Sequence, residues 1–245
     1  MYKELIKDLK IVCREKGITM KKIGVTGKKK EYPLFKIVIN NIPKPKKTIC
    51  FSAGIHGEEP AGPFSILEFL KQCDPKKFKT IKVIIFPVIN PFGFDHGRRR
   101  NFLNKDLNGH FCKKVLLGEN KIHYDILKKE KIFFFHALHE DEGHKRFYLY
   151  NFENKPEPIY RDIIVLAKKY FPIDTSNYIY DDPAKDGLII NRPDGSFEDR
   201  MFRDGVPYSM CTETPEAKPI KQRIALNVRI MKTVIKFSQK NNIYT

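Results

Sequence analysis

Three short apolar runs, TICFSAG (48–54), IKVIIFPVIN (81–90) and IFFFHALHE (132–140), constrain this chain more than any other feature. They are dense in β-branched and aromatic residues and end at glycine, proline or polar groups, as strands buried on both faces do. Between the first two lies PAGPFSILEFLKQC, a helical stretch that Pro60 is placed to start. Buried strands separated by helices predict a parallel sheet with helices against its faces. The flanking segments extend the pattern. Leu5, Ile6, Leu9 and Val12 recur at helical spacing over residues 1–16, and KIGVTG and YPLFKIVIN alternate as strands. RFYLYNF and GLIIN read as further strands, IYRDIIVLAKKYF as a helix, PYSMCTET as a strand ending in polar residues, and Lys218 to Gln239 as a closing helix. The expected fold is a single α/β/α domain over residues 1–245, with a twisted, mixed, mainly parallel sheet and helices on both faces.

A core of that size is within reach, since 41% of the residues are hydrophobic and 19 are Phe. No window of about eighteen apolar residues exists and the first segment is charged throughout, so the expectation is a soluble, cytoplasmic protein with no membrane partner. The five cysteines (Cys13, Cys50, Cys73, Cys112, Cys211) form no C-x-x-C pair and are read as reduced packing residues. A net charge of +17 admits nucleic acid as a partner. The lysines are scattered, however, and no basic module interleaved with aromatics stands out, which argues for general surface lysine and against nucleic acid.

In open α/β sheets ligands gather at the carboxyl ends of the strands. Three presumed strands end there in ligand-type residues. TICFSAG runs into His56-Gly57-Glu58-Glu59, IFFFHAL into His139-Glu140-Asp141, and PYSMCT into Glu213. Two imidazoles and a carboxylate leave a zinc ion with an open position for water, and a further carboxylate can accept that water's proton.

Downstream stand NPFGFDHGRRRNFLNKDLNGHF (90–111), ALHEDEGHKRFYLY (137–150) and CTETPEAKPIKQR (211–223). In this order the motifs resemble the zinc carboxypeptidase family, including its short bacterial members and the related deacylases succinylglutamate desuccinylase and aspartoacylase. The resemblance covers roughly residues 48–223. It implies that His56, Glu59 and His139 bind one Zn2+ per chain and that Glu213 is the general base for the attacking water, then the acid for the departing amine. Arg99, first of R-x-N, matches the arginine that steadies the oxyanion. Asn101 of R-x-N and Asn108 of D-L-N match substrate-binding positions.

Where the family has an arginine after D-L-N to clamp a terminal carboxylate, this chain has Gly109-His110. Arg98 or Arg100 then stands in from a neighbouring position, or the substrate differs. The family's substrate-capping tyrosine falls on Tyr178, Tyr180 or Phe197. The implied activity is metal-dependent hydrolysis of an amide bond, carboxypeptidase-like on a small peptide. An N-acyl amino acid deacylase and a non-catalytic binding protein on the same scaffold are the alternatives.

Other residues read more plainly. Glu58 has the wrong spacing for a ligand and is expected beside the ligands or facing solvent. His136 alternates with His139 along its strand and should point to the opposite face, into the core. Glu140, Asp141 and His144 are expected in a solvated loop, with one of them positioned to hydrogen-bond a ligand histidine. The ligand set also suits other divalent ions.

Overall fold

A computed structural model of the protein describes residues 1–116 and 118–240. It opens with helix α1 (Tyr2–Glu15) and an antiparallel pair, β1 (Thr19–Thr26) and β2 (Tyr32–Ile39). Then follow β3 (Lys47–Ala53), α2 (Ala61–Gln72), β4 (Ile81–Phe86), α3 (Pro91–His96), α4 (Gly118–Leu127), β5 (Ile132–Asp141) and β6 (Tyr148–Phe152). The chain continues through α5 (Pro158–Ala167), a two-residue pair β7 (Tyr178–Ile179) and β8 (Asp182–Pro183), β9 (Leu188–Ile190), α6 (Phe197–Arg203), β10 (Tyr208–Pro215) and α7 (Ile220–Lys240).

Eight strands form one sheet in the order β1-β2-β4-β3-β5-β10-β6-β9. Its centre, β4-β3-β5-β10, is wholly parallel, and antiparallel neighbours occur on both sides of that centre. The expected mixed α/β architecture is therefore the observed one. Along β5, Phe134 and Leu138 pack with α1, α2, α5 and α7, whereas Phe135 and Ala137 pack with α4 and α6. This alternation follows from the two-residue period of a strand and puts a separate apolar layer on each face.

Several boundaries differ from the sequence expectation. β4 stops at Phe86, before Pro87, and does not run on to Asn90. Pro91 begins a short helix, where a missing N–H costs nothing. β5 extends through Glu140 to Asp141, so residues expected in a solvated loop belong to the sheet. All five cysteines are free, and four are buried. No helix among the described residues is long and apolar enough to cross a membrane.

Candidate active site

β3 ends at Ala53, and Gly54, at φ 61°, turns the chain out of the sheet toward α2. Close backbone packing then fixes the next residues. The Gly57 N–H donates to the Arg98 carbonyl (3.0 Å), and a Cβ on Gly57 would collide with the backbone of Gly93, Phe94 and Arg98. Gly93 is under the same constraint, from Asn90 and Arg98. The glycines of HGEE and NPFG thus interlock, and only glycine allows this approach. Asn90 completes the unit: its Oδ1 accepts from the Gly93 N–H (2.9 Å) to cap α3, and its Nδ2 donates to the Arg99 carbonyl (3.1 Å). The backbone under His56 and that under Arg99 are one assembly.

His56 and Glu59 from this turn meet His139 from the end of β5. His56 Nδ1 lies 2.6 Å from Glu59 Oε1, and His139 Nδ1 lies 3.1 Å from Glu59 Oε2. All three side chains are buried. Burial acts to lower the imidazole pKa values, but the Glu59 carboxylate outweighs it: His56, helped by Asp106, rises to about 9, and His139 shifts upward too. Burial likewise favours neutral Glu59, yet the two imidazoles hold it down at about 2. On the far side of the His56 ring, Nε2 is 3.3 Å from Asp106 Oδ1. Asp106 Oδ2 in turn accepts from Arg99 Nε (2.8 Å). Arg99 is half-exposed, with Nη1 3.3 Å from His56 Nδ1 and 3.9 Å from Glu59.

Glu213 stands in register with His139 across the parallel β5–β10 ladder, so both side chains leave the sheet on the α6 side. Burial, with Glu59 and Asp141 nearby, lifts its pKa to about 8 despite the opposing pull of His139. The Cys211 thiol lies beside it, with Sγ 3.5 Å from Glu213 Oε1. His136, three positions before His139 and so on the opposite face of β5, hydrogen-bonds Thr212 Oγ1 (2.8 Å), as a core histidine does.

The donor set fits a divalent cation. One ligand atom from each of His56, Glu59 and His139 can be chosen so that all lie within 4.8 Å of one another. Two neutral imidazoles and a carboxylate are a hydrolytic zinc set with a coordination position left open. His139, Cys211 and Glu213 form a second such cluster, but burial pushes the Cys211 thiol well up and disfavours the thiolate a metal needs.

These residues open on a cavity of about 370 Å3 that Arg99 and Asn108 also line. Asn108 is held by the Phe197 N–H donating to its Oδ1 (3.4 Å). Glu58, half-buried, lines the wall 3.8 Å from Arg99. The other basic and amide candidates are elsewhere. Arg98 extends over Phe92 toward Asn104, and Arg100 donates to the Asn104 carbonyl (3.1 Å); both are exposed and outside the lining. Asn101 is buried, accepts from the Leu103 and Lys105 N–H groups (3.0 Å each), and braces the loop under the site. The expectation that Arg98, Arg100 or Asn101 reaches the cavity is not met, because their side chains are committed to holding that loop. Of the tyrosine candidates, Tyr180 lines the cavity, while Tyr178 is exposed outside it and Phe197 is buried, stacked on Phe111.

Glu140, Asp141 and His144, expected in a solvated loop, are each engaged by another side chain, and none bonds a ligand histidine. Glu140 is buried in an ion pair with Arg223 of α7 and accepts from the Ala61 N–H at the start of α2 (2.6 Å). Asp141 accepts from the hydroxyls of Tyr148 and Tyr180. His144 pairs with Asp174 (2.5 Å). The residue that does reach a ligand histidine is Asp106. Its signal was present in D-L-N, the motif from which sequence reasoning took only Asn108. Glu198, on the cavity wall, carries no local signal of its own.

A family model described as the succinylglutamate desuccinylase/aspartoacylase catalytic domain matches residues 45–144. Among solved structures, a provisionally assigned metallopeptidase from Shewanella amazonensis SB2B superposes with a TM-score of 0.87 at 30% identity, covering 96% of this chain and 92% of the other. A second such protein, from Shewanella denitrificans OS217, gives 0.85 at 26% identity over 95% and 88%. The metallo-carboxypeptidase of Burkholderia cenocepacia, at 16% identity and a TM-score of 0.72 over 95% and 68%, shares the fold. No curated protein matches the chain.

Proposed function

Because this chain belongs to the zinc carboxypeptidase-like family, in the branch of the succinylglutamate desuccinylase/aspartoacylase catalytic domain, we propose that it hydrolyses an amide bond with the aid of one divalent cation, most naturally zinc. The observation that carries this reading is the convergence of His56, Glu59 and His139 with the half-buried carboxyl of Glu213 in one cavity. His56, Glu59 and His139 would hold the ion, which when bound polarises a carbonyl and acidifies water.

The remaining chemistry belongs to the chain. Glu213, with proton exchange in the neutral range, takes a proton from the attacking water and returns it to the departing amine. Arg99, aimed by Asp106, places a fixed cation beside the ligand cluster, where negative charge develops on the carbonyl oxygen. Asp106 also fixes the tautomer of His56 by engaging Nε2, which leaves Nδ1 toward Glu59. Asn108 supplies a neutral contact to the substrate.

Peptidase activity of the carboxypeptidase type is the first assignment. Deacylation of an N-acyl amino acid is the second, favoured by Gly109, which offers no guanidinium for a terminal carboxylate. Metal analysis of the purified protein, with amine release from peptides and N-acyl amino acids with and without chelator, tests the reading. About one zinc per chain and chelator-sensitive release are expected. Glu213→Gln should keep the metal and lose turnover by at least about a hundredfold. Release indifferent to chelator, or an active Glu213→Gln, would overturn it.

A further inference from the structure

Three stretches far apart in the sequence, PKPKK (43–47), PKKFK (75–79) and KKEK (128–131), hold nine lysines, one acid and no arginine. Each leads into a strand of the parallel centre: β3, β4 and β5 in turn. Parallel neighbours start at the same end of a sheet, so the three stretches meet there. Lys47 stands opposite Ile81 and Thr48 opposite Ile132, and the Lys46 N–H donates to the Thr80 carbonyl (2.9 Å). The last turn of α7 joins the same pole, where Gln239 Nε2 donates to the Lys77 carbonyl (2.9 Å). The catalytic cavity opens at the other end of these strands.

Two of the nine lysines are engaged. Lys47 is buried with its Nζ 4.0 Å from the centre of the Phe133 ring, and Lys128 pairs with Asp125 (2.5 Å). The other seven are exposed, and no side-chain hydrogen bond or ion pair holds them among the described residues. Glu130, the acid within the stretches, is taken by Lys82 (2.7 Å), and Asp74 accepts from the Lys76 N–H (3.1 Å). Seven like charges gathered at one end give that end a positive field directed away from the cavity.

We propose that this pole docks on an anionic lipid bilayer, with the catalytic cavity facing away from it. Lysine is a compact, strongly hydrated point charge, and each one near such a surface strengthens adsorption roughly fivefold. Nucleic acid fits less well: the stretches offer no guanidinium fork for a base edge, and their one aromatic, Phe78, is buried and unable to stack on a base. The exposed large apolar side chains, such as Leu103 and Val115, lie outside these stretches, so the contact is electrostatic and salt-sensitive. The sequence expectation of no membrane partner turned on the lack of a spanning segment, and adsorption needs none.

Sedimentation with vesicles of phosphatidylcholine alone and of phosphatidylcholine with about 30% phosphatidylglycerol, at about 0.1 M salt, tests the proposal. The mixed vesicles should bind the protein at least about thirtyfold more tightly, and about 0.5 M salt should release it. Lys46→Gln/Lys77→Gln/Lys79→Gln/Lys131→Gln should weaken that binding at least about thirtyfold. A control of the same net charge, Lys3→Gln/Lys28→Gln/Lys29→Gln/Lys145→Gln, removes exposed lysines from the cavity end and should weaken it less than about fivefold. Equal binding to both kinds of vesicle, or equal loss in the two quadruple variants, would overturn the proposal. So would a wild-type protein that ignores the mixed vesicles yet binds an RNA or DNA oligonucleotide at the same salt.

Discussion

Replacing Arg223 with methionine strands the Glu140 carboxylate. That side chain is 1% exposed, and its remaining partner is the Ala61 N–H at 2.6 Å. Removing one member of a buried ion pair costs about 3–5 kcal/mol, because the charge left behind cannot regain water. Arg223 Nε also donates to the Lys218 carbonyl (2.9 Å), a bond worth about 1 kcal/mol. Methionine recovers part of the apolar contact of the arginine stem, so a net loss of about 4 kcal/mol is expected. For a chain of this length that is roughly 8–16 °C in Tm. The pair joins the start of α2, the end of β5 and the start of α7, so kcat should fall with stability as His139 loses its support. Urea unfolding followed by circular dichroism, with calorimetric Tm, measures the loss. The double variant Glu140→Gln/Arg223→Met, which removes the stranded charge, should recover about half of it. A single-variant cost below about 1 kcal/mol, or a double variant no better than the single, would refute the argument that a dry charge pair holds this corner.

Three further outcomes follow from the geometry. Gly57→Ala should cost at least about 3 kcal/mol in urea unfolding, because its Cβ has no room against the backbone of Gly93 and Arg98. Gly109→Arg should fold normally, since the nearest atom to its Cβ is 3.9 Å away and its φ is −71°; it should raise the preference for free over amidated peptide C-termini at least about tenfold, read as a ratio of kcat/KM. His123, fully buried and accepted by the Glu119 carbonyl (2.8 Å), is held by burial at about 4 against its ordinary 6.5. The unfolded chain therefore binds the extra proton between those values, and stability should drop as pH falls through that window, by up to roughly 3 kcal/mol. His123→Leu should flatten that portion of the acid-unfolding curve, and an unchanged curve would show the proton is bound elsewhere.

What the sequence determined by itself is what local periodicity and short-range chemistry encode. The central strands β3 and β5 are written into consecutive residues as apolar runs buried on both faces, and the two-residue period of a strand then fixes which side chains share a face. With the strands assigned, the rule that ligands collect at their carboxyl ends brought the His56–Glu59 turn, His139 and Glu213 to one place, the family resemblance singled out Glu59 within that turn, and strand alternation turned His136 away. The short helices α3 and α6 were not legible, since one or two turns carry too little periodicity to stand out.

Only the tertiary structure decided which polar residue meets which. Asp106 reaches His56 from 50 positions away, and Glu140 finds Ala61 from 79. Charge alone cannot say whether an aspartate or glutamate after a strand will be solvated, bonded to a tyrosine or buried on an arginine. That depends on which helix packs over it, and the free energy of a charge changes sign with that burial. The same holds for the three consecutive arginines. They are chemically identical in the sequence, yet the interlocked Gly57 and Gly93 backbones turn Arg99 to the site and leave Arg98 and Arg100 to the loop.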